Sequence, residues 1–258
     1  MLDVCDPRVI RALLEKYGFH FSKAKGQNFL TQRWVPQRIA QEAGIDCSTG
    51  VLEIGPGFGP LTQELCLRAG RVTAIELDTT LRPVLAETVG EFDNLTIHFA
   101  DAMKMDLPAL VQAEFPGLTP AACANLPYYI TTPVLMKILE SWSPLDPVPL
   151  AGITIMIQLE VARRICAAET DKEYGAITAA VGLKAQAHKV FDVSAGNFYP
   201  VPKVDSAVCA IVPHGGIRTV YPALPNDPAF AANFAQTVPE VIGLAFGQRR
   251  KTLTNSLS

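Results

Sequence analysis

The sequence predicts an α/β fold, a doubly wound and mostly parallel sheet of seven strands followed by a small helical segment. Three observations carry that expectation. First, the buried run Val51-Leu52-Glu53-Ile54 leads into Gly55-Pro56-Gly57-Phe58-Gly59 and then Pro60-Leu61-Thr62, the strand, glycine turn and helix start of a nucleotide-binding βα unit. Second, apolar runs recur at 71–75, 95–99 and 121–124, and they lead to Glu76, Asp101 and Asn125. Those polar residues fall where strands reach the carboxyl edge of such a sheet, the usual place for ligands. Third, 258 residues with 49% hydrophobic and only 18% charged content suffice to bury a large core.

In chain order, Val9, Ile10, Leu13, Leu14 and Tyr17 recur at helical spacing, so 7–17 reads as an amphipathic helix ended by Gly18. Residues 19–30 mix Lys23 and Lys25 with aromatics and amides around Gly26. That mixture suits a phosphate and a cofactor together, or an ordinary polar loop. A helix is expected over 36–43, with Gly44 as its stop. At the glycine turn, the dinucleotide pattern Gly-x-Gly-x-x-Gly needs glycine at 60, but the third glycine is Gly59 and position 60 is proline. Glu76, twenty-one residues after Gly55, can accept hydrogen bonds from both hydroxyls of a ribose. Asp101 can accept from an adenine amino group. Either acid alone reads equally as a solvated strand end.

The fourth strand, 121–124, delivers Asn125-Leu126-Pro127-Tyr128, which precedes Tyr129 and a Thr-Thr-Pro break. An amide oxygen and a neighbouring main-chain carbonyl, at Leu126 or Pro127, can accept both hydrogens of an exocyclic amino group, and the Tyr128 ring offers a face for a heterocycle. Proline fixes φ and removes a competing donor. The bland alternative is a strand-to-loop turn. A fifth strand is expected at 150–157 and a helix at 160–168, whose Arg163 and Arg164 either stand free on one face or pair with Glu160. Residues 190–193 and 207–212 suggest a terminal antiparallel hairpin around a loop holding Phe198, Pro200 and Pro202. After 213 the composition turns Pro- and Ala-rich, Asp227-Pro228 is a helix start, and 229–246 is mostly apolar. The expected division is therefore 1–213 and a small helical domain over 214–258, which ends at Ser258 inside a helical pattern, as a shortened segment would.

The net charge of -3 hides a polarised chain. Residues 1–40 hold seven Lys/Arg against three Asp/Glu and 241–258 hold three against none, while the middle holds twelve against twenty-two. Basic ends can build a local phosphate-binding surface on an acidic body. The six cysteines are scattered without a Cys-x-x-Cys pair, which suits reduced core thiols, and no metal site is expected. No run approaches the ~18 apolar residues of a membrane span, and the acidic start lacks the pattern of a signal peptide, so the expected location is cytoplasmic.

Glu53-Ile54-Gly55-Pro56-Gly57-Phe58-Gly59 resembles the S-adenosylmethionine (SAM) loop of class I methyltransferases, which has no pyrophosphate to cradle. The resemblance extends along the chain. Gly26-Gln27-Asn28-Phe29-Leu30, Glu76-Leu77-Asp78, Asp101-Ala102, Asn125-Leu126-Pro127-Tyr128, Gln158 to Arg164, Tyr174-Gly175, Phe198 to Ser206 and Phe246 to Leu253 match, in order, the motifs of the ribosomal RNA adenine N6-dimethyltransferase family. They are most similar to its small-subunit branch, which modifies two adjacent adenosines near the 3′ end of 16S RNA. The resemblance implies a Rossmann-like SAM-dependent methyltransferase acting as a monomer on a pre-ribosomal particle. It implies cofactor contacts from Gln27, Asn28, Leu30, Gly55, Gly57, Glu76, Asp101, Ala102 and Asn125, with Asn125 to Tyr128 facing the target base. Phe198 would sandwich that base against Tyr128, a position otherwise read as a core plug. Lys23, Lys25, Arg163, Arg164, Arg249, Arg250 and Lys251 would meet RNA. Rival readings are a large-subunit rRNA adenine methyltransferase, a DNA amino-methyltransferase, and a ribosome-assembly or transcription factor on the same scaffold.

Overall fold

The computed structural model describes residues 2–18, 28–142, 149–214 and 228–247. Its first helix, α1 (Pro7–Tyr17), starts where the Asp6 side chain accepts from the Arg8 amide and stops at Gly18, whose φ of 58° suits a residue without Cβ. Ile10 and Leu13 are its buried stripe. Strand β1 (Phe29–Leu30) and helix α2 (Trp34–Glu42) lead to the βα units β2 (Thr49–Ile54)–α3 (Pro60–Cys66), β3 (Arg71–Glu76)–α4 (Arg82–Thr88) and β4 (Leu95–Phe99)–α5 (Leu107–Glu114). They continue as β5 (Thr119–Asn125)–α6 (Thr131–Ser141) and β6 (Ile153–Gln158)–α7 (Leu159–Ile165). Then follow α8 (Ala176–Gly182), β7 (Ala185–Val193), β8 (Phe198–Tyr199), β9 (Ser206–Pro213) and α9 (Pro228–Gly247).

The main sheet has seven strands in the order β4-β3-β2-β5-β6-β9-β7. Neighbours from β4 to β6 pair in parallel, and β9 runs antiparallel to both β6 and β7. Strand β2 is buried along its whole length, as expected for a strand covered by helices on both faces. The order reverses beside β2, where β3 and β5 flank it on opposite sides, and this opens the cleft at the carboxyl edge. The sheet is the α/β class the sequence predicts, with the terminal hairpin at its expected edge.

Several boundaries differ. Thr131-Thr132-Pro133 does not break the chain but begins α6, because a proline in a helix's first turn gives up an amide that has no intrahelical acceptor there. Helix α7 ends at Ile165 rather than 168, and α2 begins two residues before Pro36. The loop containing Phe198 is in part a strand. Phe198 and Tyr199 pair antiparallel with Leu30 and Phe29, a two-residue contact across 168 positions that no local pattern announces. Helix α9 carries the expected helical run, and its Phe246 ring meets Tyr174 at 6.1 Å between centroids.

Candidate active site

The carboxyl ends of β2 to β5 surround one cleft. Gly55, Gly57 and Gly59 adopt φ of 74°, 60° and 89°, a left-handed region that side chains disfavour. The Gly55 amide donates to the Ile75 carbonyl at 2.9 Å, which ties the turn to the neighbouring strand. Glu76 then joins the two. Its Oε2 accepts from the Gly57 amide at 3.3 Å and its Oε1 from the Asp78 amide at 2.8 Å. Burial pushes the Glu76 carboxyl up from its ordinary value, while these amides and that of Leu77 favour the charged form. Each oxygen keeps a lone pair for a ligand, so the glycine loop and the acid are positioned as one unit. Behind the loop, Glu53 is 1% exposed and its Oε2 has no hydrogen-bond partner.

Asp101 caps a short 3-10 turn over 102–104, its Oδ1 accepting from the Met103 amide at 3.0 Å. Its Oδ2 lies 3.7 Å from Lys104 Nζ. Both Asp101 and Ala102 line the cleft, opposite Asn28 and Leu30. The β1–β8 pairing brings these last two to the site from far upstream.

Asn125 ends β5 and lines the same cleft with Leu126, Pro127 and Tyr128. The Leu126 amide donates to the Met156 carbonyl at 3.2 Å, which fixes the turn on β6. The Pro127 carbonyl already accepts from the Ile130 amide at 3.1 Å and the Thr131 hydroxyl at 3.3 Å. Of the two carbonyls the sequence leaves open, Pro127's is therefore engaged by the start of α6, and Leu126's is the better second acceptor beside Asn125. The Tyr128 hydroxyl shares a 2.9 Å hydrogen bond with the buried Ser206 hydroxyl on β9, which sets the plane of the ring. Replacing Ser206 with alanine is expected to lower turnover about fivefold with cofactor affinity unchanged, since one neutral hydrogen bond contributes about 1 kcal/mol. Single-turnover rates beside calorimetric cofactor binding check this, and Ser206→Thr, which keeps a hydroxyl, should recover part of the rate.

Phe198 borders the cleft but is only 3% exposed and packs into the core beside Leu30, Val193 and Val208. It forms a wall. Arg164 pairs with Glu160, the solvated-face alternative, whereas Arg163 is exposed and makes no ion pair among the described residues. Lys23, Lys25, Gln27, Arg249, Arg250 and Lys251 lie outside the described residues. Three residues of this neighbourhood are not singled out by the sequence: Tyr129 and Met103 line the cleft, and Ser206 orients Tyr128. Tyr129 and Met103 directly follow assigned residues, and that adjacency is the one signal they give. Ser206 is 78 positions from its partner, so only the fold reveals it.

The cleft can be tested for the ligand it fits. A Cβ built on Gly55 would stand in ordinary contact, 3.9 Å from Pro127 Cδ, and one on Gly57 3.6 Å from the Phe29 ring, so the positive φ at each, more than lack of space, is what calls for glycine. Among the described residues, no Lys, Arg or His lines the cleft. Backbone amides, the carboxylates of Glu76, Asp78 and Asp101, and apolar walls suit a nucleoside cofactor that carries no pyrophosphate. No metal cluster of three or more His, Cys, Asp or Glu occurs among the described residues, and no described helix is long and apolar enough to cross a membrane.

Comparison with known proteins gives the same answer by a separate route. Residues 18–224 match the family model for ribosomal RNA adenine dimethylase. A ribosomal RNA small subunit methyltransferase A of Bacillus licheniformis is 41% identical over 256 residues, covering 99% of this chain and 82% of the relative. Its counterpart in Geobacillus thermodenitrificans is 39% identical with the same coverage. A dimethyladenosine transferase from Plasmodium falciparum has a similar structure, with a TM-score of 0.67, 30% identity, and 88% of this chain and 74% of that one covered. The 23S rRNA methyltransferase ErmE also reaches 0.67, at 27% identity over 89% of this chain and 83% of its own. With a family model matched over most of its length and relatives near 40% identity across almost all of it, the chain belongs to the ribosomal RNA adenine dimethylase family.

Proposed function

We propose that this chain is a SAM-dependent methyltransferase that dimethylates N6 of two adjacent adenosines near the 3′ end of small-subunit ribosomal RNA. The observation that carries the reading is the meeting, in one cleft, of the Gly55–Gly57–Glu76 unit with Asn125 to Tyr128. SAM supplies a methyl group already activated as an electrophile. The protein's task is then to orient two partners. Glu76 would accept from the ribose hydroxyls of SAM and Asp101 from its adenine amino group, with Asn28, Leu30, Gly55, Gly57 and Ala102 as walls and floor. The Asn125 amide oxygen and the Leu126 carbonyl accept the two hydrogens of the target N6. Those bonds favour a pyramidal nitrogen and localise a lone pair otherwise delocalised into the ring. The site needs no strong general base, because the proton can leave once the nitrogen is cationic. Tyr128, held by Ser206, stacks on the base, and Phe198 stiffens the wall behind.

The small-subunit substrate is supported by the near-complete match to small-subunit enzymes at 41% identity. The 27% likeness to a 23S enzyme favours the large-subunit alternative less. We place the work in the cytoplasm on a pre-ribosomal particle, with 214–258 as a small RNA-facing unit. Arg163, Lys23, Lys25 and the Arg249-Arg250-Lys251 cluster supply phosphate contacts. Neutralising that cluster should weaken RNA binding and flatten its salt dependence by roughly 0.7–0.9 in log–log slope for each phosphate no longer neutralised. Filter binding across a salt series checks this, and an unchanged slope removes the cluster from the interface.

The deciding test is transfer of labelled methyl from SAM to small subunits lacking the modification, beside large-subunit RNA and duplex DNA, with Asn125→Ala as control. Label confined to the small subunit and recovered as dimethyladenosine supports the reading. Label on large-subunit RNA or DNA replaces the substrate. Binding without label points to an assembly factor.

A further inference from the structure

Two successive tyrosines at the cleft have opposite surroundings. Tyr128 is half-buried and its hydroxyl is bound to Ser206. Tyr129 is 53% exposed, lines the mouth of the same cleft, and makes no hydrogen bond or ring contact among the described residues. Yet its mounting is rigid. The Pro127 carbonyl holds the Ile130 amide and the Thr131 hydroxyl just beyond it, and α6 begins at Thr131. Val134 and Leu135, on the first turns of that helix, are buried in the core and anchor it. A large, amphipathic ring on a fixed backbone, left uncovered at the rim of a pocket for a flat heterocycle, has the form of a stacking platform.

On the function proposed above, a nucleic acid entering this pocket has a use for such a platform. A base that turns into the cleft leaves its stack, and the base beside it is then bare on one face. The lip of the pocket is where that neighbour arrives. Resting on the function proposed above, we propose that Tyr129 stacks on the base adjoining the target adenosine, covering the face that the target uncovers as it turns into the cleft. For a substrate of two adjacent adenosines, that neighbour is itself the other target. Tyr129 is then a positioning residue for RNA that takes no part in the methyl transfer, and the face of its ring, rather than its hydroxyl, does the positioning.

The test compares Tyr129→Ala and Tyr129→Phe in the full chain, using small subunits lacking the modification. It measures KM for the subunit, kcat, SAM affinity by calorimetry, and the methyl count at each adenosine by mass spectrometry. Loss of one base stack is expected to raise the subunit KM about tenfold for Tyr129→Ala. Tyr129→Phe should stay within about twofold, and SAM affinity should hold in both. The methyl counts should show excess product with one adenosine modified. A wild-type KM in Tyr129→Ala overturns the inference, as does an equal loss in Tyr129→Phe or a matching fall in SAM affinity. Failure of the functional reading looks different. Wild-type enzyme would label another polynucleotide, on which the same KM comparison decides, or label nothing, in which case RNA affinity unaffected by Tyr129→Ala overturns the platform directly.

Discussion

Replacing Asn125 with alanine is expected to lower turnover at least about 100-fold while RNA affinity stays within about twofold. The size follows from position. Asn125 closes β5, paired with Met156 on β6, between the buried Ala124 and Leu126. Its backbone therefore cannot shift to let another group take over. It lines one cleft with Gly55, Glu76, Leu126 and Tyr128, where the proposed function brings cofactor and base together, and one preorganised hydrogen-bonding group that acts on the transition state is worth about 3–4 kcal/mol. On the proposed function, RNA affinity would come from phosphate contacts and base stacking elsewhere, so it should survive. Single-turnover rates, SAM calorimetry and RNA binding on the same preparation separate the three. A parallel loss of RNA binding and turnover would show that Asn125 holds the base rather than activating it. Asn125→Asp, which keeps an acceptor at the same reach, should retain more activity than alanine.

The parts of this site that can be read in the sequence share one property: their signal is local. A glycine turn after a buried run, an acid one βα unit later, and Asn-Leu-Pro-Tyr after a fourth run each carry their geometry within a few residues. The strands β2 to β6 follow for the same reason. What escapes depends on pairs distant in the chain. Leu30 and Phe198 meet across a two-residue ladder, too short to show period-two alternation, and Tyr128 finds Ser206 only because β9 runs beside β6. The start of α6 is hidden because Thr-Thr-Pro is a turn signal by composition, whereas a proline in a first helical turn is tolerated. That same helix start engages the Pro127 carbonyl, so the hidden boundary and the open choice of second acceptor have one cause.

Glu53→Gln is expected to stabilise the protein at alkaline pH by several kcal/mol and to change little below pH 5. Glu53 sits inside the sheet on β2, one residue before the strand ends at Ile54, and burial pushes its carboxyl up to about 8. The nearby charge of Glu76 adds to the rise. The Thr62 hydroxyl opposes it, although neither Thr62 Oγ1 nor Glu53 Oε2 reaches hydrogen-bonding geometry with a partner. The native state thus holds a proton that the unfolded chain releases near 4.5. Stability is therefore greatest below that value and falls as pH rises toward about 8, by at most about 1.4 kcal/mol per pH unit, then levels off. Glutamine cannot ionise, and its amide can donate to the unpartnered Thr62 oxygen, so its denaturation profile should lack this component. Urea midpoints of both proteins from pH 5 to 9 test the point, because titrating groups that do not sense Glu53 cancel in the difference. Parallel profiles would mean that Glu53 is charged in the fold. A widening gap would mean that the buried acid stays neutral at physiological pH, which has a consequence for the cleft. With Glu53 uncharged on β2, it adds no charge to the burial and the nearby Asp78 carboxylate that already push the Glu76 carboxyl up on the neighbouring β3. The backbone amides of Gly57, Leu77 and Asp78 are then what favours a charged Glu76, and the acid beneath the glycine loop fills space without adding to the opposition.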